Sequence, residues 1–174
     1  MARGDEEFVE FAKASSARLQ RAAYLLTGDR YQAEEAAQAV LVRVYAAWGR
    51  IRHGDPYSYA RATLANLVND QWRRPFREYA TEFMPEQQAP RDVADDVARR
   101  RWLIGALGAL SPQERAVVVL RHLFDASETD VARDLGMPLG TVKSLNSRAL
   151  AKLRTAVGAL TPTQQIETEL GVQR

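Results

Sequence analysis

Residues 127–157 read SETDVARDLGMPLGTVKSLNSRALAKLRTAV. Ser127 with Asp130 three positions on is a helix-start pattern, a hydroxyl cap followed by an acid in the first turn. Val131, Ala132 and Leu135 then fall on one face of a short helix over residues 128–135. The run Gly136-Met137-Pro138-Leu139-Gly140 interrupts it, and a longer helix is predicted from near Thr141. That second helix turns Val142, Leu145, Ala149, Leu150 and Leu153 inward. Two helices joined by a short glycine-containing turn form a helix-turn-helix, an arrangement whose second helix can enter the DNA major groove.

Charge is divided unevenly between the two helices. Residues 141–157 carry Lys143, Arg148, Lys152 and Arg154 and no acid, a local +4. Residues 127–140 carry Glu128, Asp130 and Asp134 against Arg133, a local −2. A basic second helix fits an electrostatic footprint on phosphate. The competing reading is a plain bundle hairpin whose charged face is merely solvated.

Working outward, the periodicity is helical almost throughout, with no alternating strand or hairpin signal. Phe8, Phe11, Leu19, Ala22, Ala23 and Leu26 form one stripe that stops at Gly28. Ala37, Val40, Leu41, Val44, Tyr45 and Trp48 form a second. A third helix starts near Pro56, carries Ala60, Leu64, Leu67, Val68 and Trp72, and ends before Pro75. Residues 76–96 hold Pro85 and Pro90 with scattered acids and no apolar stripe, which reads as a linker. Order returns with Trp102, Leu103, Ala106, Leu107 and Leu110, and Ser111-Pro112-Gln113-Glu114 is a capping-box helix start. The expectation is an all-α chain. Two small helical domains, residues 1–75 and 97–157, are joined by a flexible linker at 76–96 and followed by a frayed tail at 158–174.

Composition bounds the function. The 174 residues are 46% hydrophobic and 26% charged, ordinary for a globular protein. There is no cysteine, which excludes disulfides, thiolate metal sites and cysteine nucleophiles. The longest aliphatic run, residues 116–120, is far short of the roughly 20 apolar residues of a membrane span. Asp5, Glu6 and Glu7 stand where a secretory signal would be apolar, so a cytoplasmic protein without membrane insertion is expected. Only His53 and His122 are present, neither with a spaced partner, so no catalytic residue, metal or cofactor is predicted.

Val118-Val119-Leu120-Arg121, Asp125, Ser127, Val131-Ala132, Leu135-Gly136, Gly140-Thr141-Val142-Lys143-Ser144, Ser147-Arg148-Ala149-Leu150 and Leu153-Arg154 stand in order. This wording closely resembles region 4 of sigma factors of the extracytoplasmic-function (ECF) group in the sigma-70 family. It is especially like the actinobacterial subgroup labelled SigE-family. Tyr24-Leu25-Leu26-Thr27-Gly28-Asp29, Ala33-Glu34-Glu35, Gln38, Arg43, Tyr45 and Trp48 resemble regions 2.1 and 2.2. Asp55-Pro56, Tyr59, Ala65-Asn66-Leu67, Asp70, Trp72 and Arg73-Arg74 resemble regions 2.3 and 2.4.

The resemblance implies an alternative sigma factor, with core RNA polymerase (β′ clamp and β flap) and promoter DNA as partners, and it allows an anti-sigma factor. It assigns polymerase binding to Glu34, Glu35, Gln38, Arg43 and Trp48. Duplex −35 reading falls to Thr141, Lys143, Ser144, Ser147, Arg148 and Lys152. Capture of the melted −10 element falls to Arg52, His53, Tyr59, Arg61, Asn66, Arg73 and Arg74. The basic, aromatic loop at residues 50–59 suits this by composition, since aromatic faces stack bases and arginine neutralises phosphate. Its tyrosines could equally pack on the core.

Two departures stand out. Ala36, Ala37 and Ala39 replace the larger aliphatics and the carboxylate usual on the docking helix. Pro138 replaces the serine that frequently caps the reading helix, which predicts a frayed start. The rival regulator is a LuxR-like protein with a helical N-terminal domain, and the region 2 wording argues against it. A small helical enzyme lacks residues to run on, and an interaction protein without DNA contact leaves the acid-free helix unexplained.

Overall fold

The computed structural model describes residues 3–72 and 91–158. Seven helices account for their regular structure, and no strand occurs among the described residues: α1 (Arg3–Thr27), α2 (Arg30–Ile51), α3 (Pro56–Trp72), α4 (Arg91–Gly108), α5 (Pro112–His122), α6 (Glu128–Leu135) and α7 (Leu139–Gly158). The all-α expectation holds.

The first three helices form one unit. Helix α1 ends where Gly28 takes a positive φ of 71°, a conformation that costs glycine little. Asp29 then caps α2 by accepting a hydrogen bond from the Gln32 amide at 2.8 Å. Small side chains on α2 (Ala33, Ala36, Ala37 and Ala47) are buried beside Val40 and Val44, so α2 can lie close against α1. Leu19, Ala22, Ala23 and Leu26 of α1 meet them, and Ala60, Leu64, Ala65 and Val68 of α3 close the core.

The remaining helices form the second unit. Ser111 and Glu114 make the expected capping box at the start of α5. The α5 residues Ala116–Leu120 are all buried, so this short helix is an axle around which α6 and α7 pack together with α1 and α3, and α4 lies against α7 and α1. Helix α4 starts at Arg91, six residues earlier than expected, so its first turns occupy positions read as linker. The rest of the expected linker and residues 159–174 of the expected tail lie outside the described residues.

The units are not separate globules. Buried residues from α1, α2 and α3 belong to the same contiguous core as Val117, Leu120, Phe124, Val131, Val142 and Leu145. Leu25 of α1 packs into a smaller cluster of Leu107, Leu110, Val118 and Ala149. The Arg115 guanidinium donates to the carbonyl oxygens of Leu107 and Gly108 in α4, Leu110 after it and Leu26 in α1, so one side chain satisfies the ends of two helices. Periodicity identified the apolar faces but not their partners in the other unit.

Candidate nucleic-acid interface

The helix-turn-helix is built as its sequence demands. Ser127 caps α6, accepting from the Asp130 amide at 3.0 Å, and its hydroxyl donates to the Asp130 carboxylate at 2.6 Å. That hydroxyl holds the Asp130 carboxyl below its ordinary pKa. Gly136 ends α6 in the left-handed region (φ 61°, ψ 36°), and the Met137 amide reaches back to the Ala132 carbonyl at 2.9 Å. Helix α7 begins at Leu139, two residues before the expected start. The Pro138 carbonyl accepts from the amides of Thr141 (3.0 Å) and Val142 (3.2 Å). Proline at this position removes a side-chain cap but leaves the backbone acceptor in place.

Val142, Leu145 and Ala149 anchor α7 in the core. The opposite face leaves Thr141, Lys143, Ser144, Ser147 and Arg148 exposed together, with no acid among them. Lys152 is placed differently. Its Nζ donates to both carboxylate oxygens of Glu114, at 2.7 and 3.0 Å, and the Glu114 side chain is only 5% exposed. The same carboxylate accepts from the Ser111 amide at 2.9 Å. Lys152 foremost, then the Ser111 amide, holds the Glu114 carboxyl below its ordinary pKa. In this geometry Lys152 ties α7 to α5, a role the charge count did not reveal.

In the first unit, Asn66 is exposed on α3 and His53 on the preceding loop. Tyr59 is half-buried and, with Arg43 and Arg50, lines an open cleft of about 390 Å³. Asp55 caps α3 through the Ser58 amide (2.9 Å) and hydroxyl, which depress its carboxyl pKa. Tyr57 takes the core role expected of a loop tyrosine. It packs edge-on against Phe124 at 5.8 Å, and Arg18 donates to its hydroxyl at 3.0 Å. Arg52 is paired with Glu7 at 3.1 Å, about one-third exposed. Arg73 and Arg74 lie outside the described residues. Arg61, expected on the DNA backbone, is buried. Its Nε donates to the Asp134 carboxylate of α6 at 2.6 Å, with both side chains at most 7% exposed.

On α2, Glu34, Glu35, Gln38 and Arg43 are exposed as expected. Trp48 is not, being 7% exposed and packed on Phe8 and Phe11 at 5.4 and 5.3 Å. A tryptophan at the core period is claimed by the core. Tyr31, Val42 and Tyr45, by contrast, stand 71, 67 and 52% exposed on the same outer face as Glu35 and Gln38. Tyr45 had been read as inward. The spacing 31, 35, 38, 42, 45 is itself a helical stripe, and an apolar residue within a polar stripe was the available signal. Ala36 and Ala37 point into the core, so those departures from the usual wording tune packing rather than this surface.

Comparison with known proteins gives the class. The model for sigma-70 region 2 matches residues 11–78, and that for sigma-70 region 4 matches residues 100–153. A region 2 bundle followed by a region 4 helix-turn-helix defines a sigma factor. The RNA polymerase sigma-E factor of Streptomyces coelicolor is 38% identical over 152 residues, covering 85% of this chain and 84% of that one. The ECF RNA polymerase sigma factor SigL of Mycobacterium tuberculosis is 38% identical over 167 residues, covering 90% and 86%. The chain belongs to the ECF RNA polymerase sigma factors of the sigma-70 family, and a LuxR-like regulator is not favoured. Its fold is shared with RpoE of Bartonella quintana, solved with the anti-sigma factor NepR (TM-score 0.68, 22% identity, 88% of this chain and 98% of that one). It is shared also with CnrH, solved with the cytosolic domain of CnrY (TM-score 0.61, 24% identity, 87% and 88%). Among the described residues no helix is long and apolar enough to cross a membrane.

Proposed function

We propose that this sigma factor docks on core RNA polymerase through the outer face of α2, reads the −35 element as duplex with α7, and captures the melted −10 strand with α3 and the loop before it. The exposed, acid-free set Lys143, Ser144, Ser147 and Arg148 carries the reading. Lysine or arginine to guanine is the commonest specific major-groove contact, worth about 1–3 kcal/mol against the wrong base. On α2, Tyr31, Val42 and Tyr45 supply apolar contact between Glu34, Glu35, Gln38 and Arg43, the mixture suited to another helical surface. His53, Tyr59 and Asn66 hold an unstacked base, and the pocket must return the few kcal/mol that unstacking costs. Arg50 beside Tyr59 adds a phosphate contact to that set.

Nucleotidyl transfer belongs to the polymerase, so the chain performs no catalysis, uses no metal or cofactor, and works in the cytoplasm. An anti-sigma factor, the class of partner named with the Bartonella quintana neighbour, is a third partner. The test is run-off transcription with purified core polymerase on templates with randomised upstream sequence. A promoter-dependent product that requires the chain is expected. No product, with no displacement of another sigma factor, would overturn the proposal.

A further inference from the structure

The first turns of α1 carry four acids, Asp5, Glu6, Glu7 and Glu10. Asp5 and Glu6 lie in the first turn, where a carboxylate favours the positive end of the helix dipole. Asp5 also accepts a hydrogen bond from the Tyr45 hydroxyl at 3.1 Å. Glu10 pairs with Lys13 one turn on, at 3.0 Å, with both side chains open to water. Glu7 acts at longer range. Its Oε2 accepts from Arg52 Nη1 at 3.1 Å, 45 positions away at the end of α2. That sets a carboxylate against the last cation before the loop proposed to capture the melted strand.

The seat of Arg52 is formed but incompletely satisfied. With Glu7, Phe11, Trp48 and Pro56 it lines a cleft of about 530 Å³. A Cβ on Gly4 would stand 3.5 Å from Nη1, so the start of α1 lies close over the guanidinium. Arg52 Nε is buried with no hydrogen-bond partner. A buried N–H without an acceptor is costly, and an ion pair this open to water stabilises weakly. The resting position is therefore shallow. A phosphate beside the loop accepts from two guanidinium nitrogens at once, which neither Glu7 nor the cleft supplies here. His53, the next residue, is exposed, as is Asn66 on α3.

We infer that Glu7 is a specificity-determining residue for −10 capture. It withholds Arg52 from the phosphates of passing single strands and yields it to a strand whose base is seated at His53, Tyr59 and Asn66. The inference deepens the proposed −10 reading and rests on it for the identity of the strand. Specificity is a difference of affinities, and it grows when wrong partners lose an attraction that the right one keeps. A strand held only by charge samples many positions, and at each its phosphate must displace Glu7 to reach Arg52. A seated base fixes the neighbouring phosphate beside the loop, where it competes with Glu7 at high effective concentration. The competing account is a plain clamp tying α1 to α2. A clamp predicts lost stability on removing Glu7 and no change in strand binding.

The test uses the full chain and a dye-labelled oligothymidylate, a strand without promoter sequence, with fluorescence anisotropy across a salt series. Glu7→Gln should bind this strand about 1.5- to 5-fold more tightly than the parent, the fold-change equivalent of an exposed ion pair. Its salt slope should steepen by about 0.7, one phosphate contact on a single strand. Glu10→Gln removes the same charge without touching Arg52 and should leave the slope unchanged. Combining Glu7→Gln with Arg52→Gln should erase the steepening. In reconstituted holoenzyme, Glu7→Gln should lower the preference for a forked template carrying the −10 sequence recovered by run-off over a scrambled fork. Equal slopes for parent and Glu7→Gln, the same steepening in Glu10→Gln, its persistence without Arg52, or an unchanged fork preference would overturn the inference. Failure of run-off transcription with the oligothymidylate results intact would instead sink the −10 reading on which it rests.

Discussion

Replacing Lys152 with methionine separates two roles for one lysine. As a −35 ligand it would be one of the phosphate-neutralising cations of α7; in the structure its ammonium lies 2.7 and 3.0 Å from the two Glu114 oxygens. Methionine keeps the stem and removes the charge. Lys152 is 52% exposed, so an ordinary surface-pair value of about 0.2–1 kcal/mol bounds its own side. Glu114 is almost fully enclosed and would keep only the Ser111 amide as a charged-acceptor bond, and hydrogen bonds to charged groups are worth about 1.5–3 kcal/mol. Between these limits Lys152→Met should cost about 1–2 kcal/mol in urea denaturation at pH 7. The pH dependence has a definite sign. A carboxyl whose folded pKa is depressed stabilises the fold above its ordinary value of 4.5, and that contribution fades as pH falls through the lower folded value. Lys152→Met weakens the cause of the depression, so the gap between variant and parent should narrow under acid. The second assay is fluorescence anisotropy on non-specific duplex, whose salt dependence counts neutralised phosphates. Each lost contact reduces the slope by about 0.9. Arg148→Ala should show that reduction, and Lys152→Met should not. A stability change below about 0.5 kcal/mol together with a slope reduced by a full contact would refute the structural role and return Lys152 to the DNA.

Three other outcomes are expected. Asn66→Ala should reduce open-complex formation, read by permanganate reactivity of the melted strand, more than it reduces polymerase affinity; equal losses would remove Asn66 from the −10 pocket. Gly136→Ala forces a side chain into the left-handed region at φ 61° and should cost about 1–2 kcal/mol by urea denaturation, from strain alone because open space surrounds that position. Trp48→Ala should cost about 3–5 kcal/mol, as for a large core aromatic, while polymerase affinity of the folded fraction stays near that of the parent. A selective loss of polymerase binding with unchanged stability would put Trp48 back on the docking face.

Local chemistry was legible wherever one stretch of chain supplies both partners. The Ser111–Glu114 capping box, the Ser127 cap and the Gly136 exit involve residues within a few positions of each other, and all three formed as read. The exposed face of α7 was equally readable, because Val142, Leu145 and Ala149 set its rotation by spacing alone. The sequence was silent where a charged or aromatic side chain has more than one possible partner. Lys152 was counted as a cation for phosphate, and Glu114 lies 38 positions away. Trp48 was read from family wording as a surface residue, although its own spacing had put it in a core stripe.

The sequence by itself determined the helices, their caps, the basic reading face and, through its wording, the membership of the ECF sigma factors. These are properties of neighbours along the chain, whose backbone and side-chain interactions act within one or two turns. Tertiary structure alone decided that both units share a core and that Arg61 faces Asp134 rather than solvent. Pairings across 73 residues depend on which apolar faces find each other, and the energy of burial is set by area, not by any local signature in the chain.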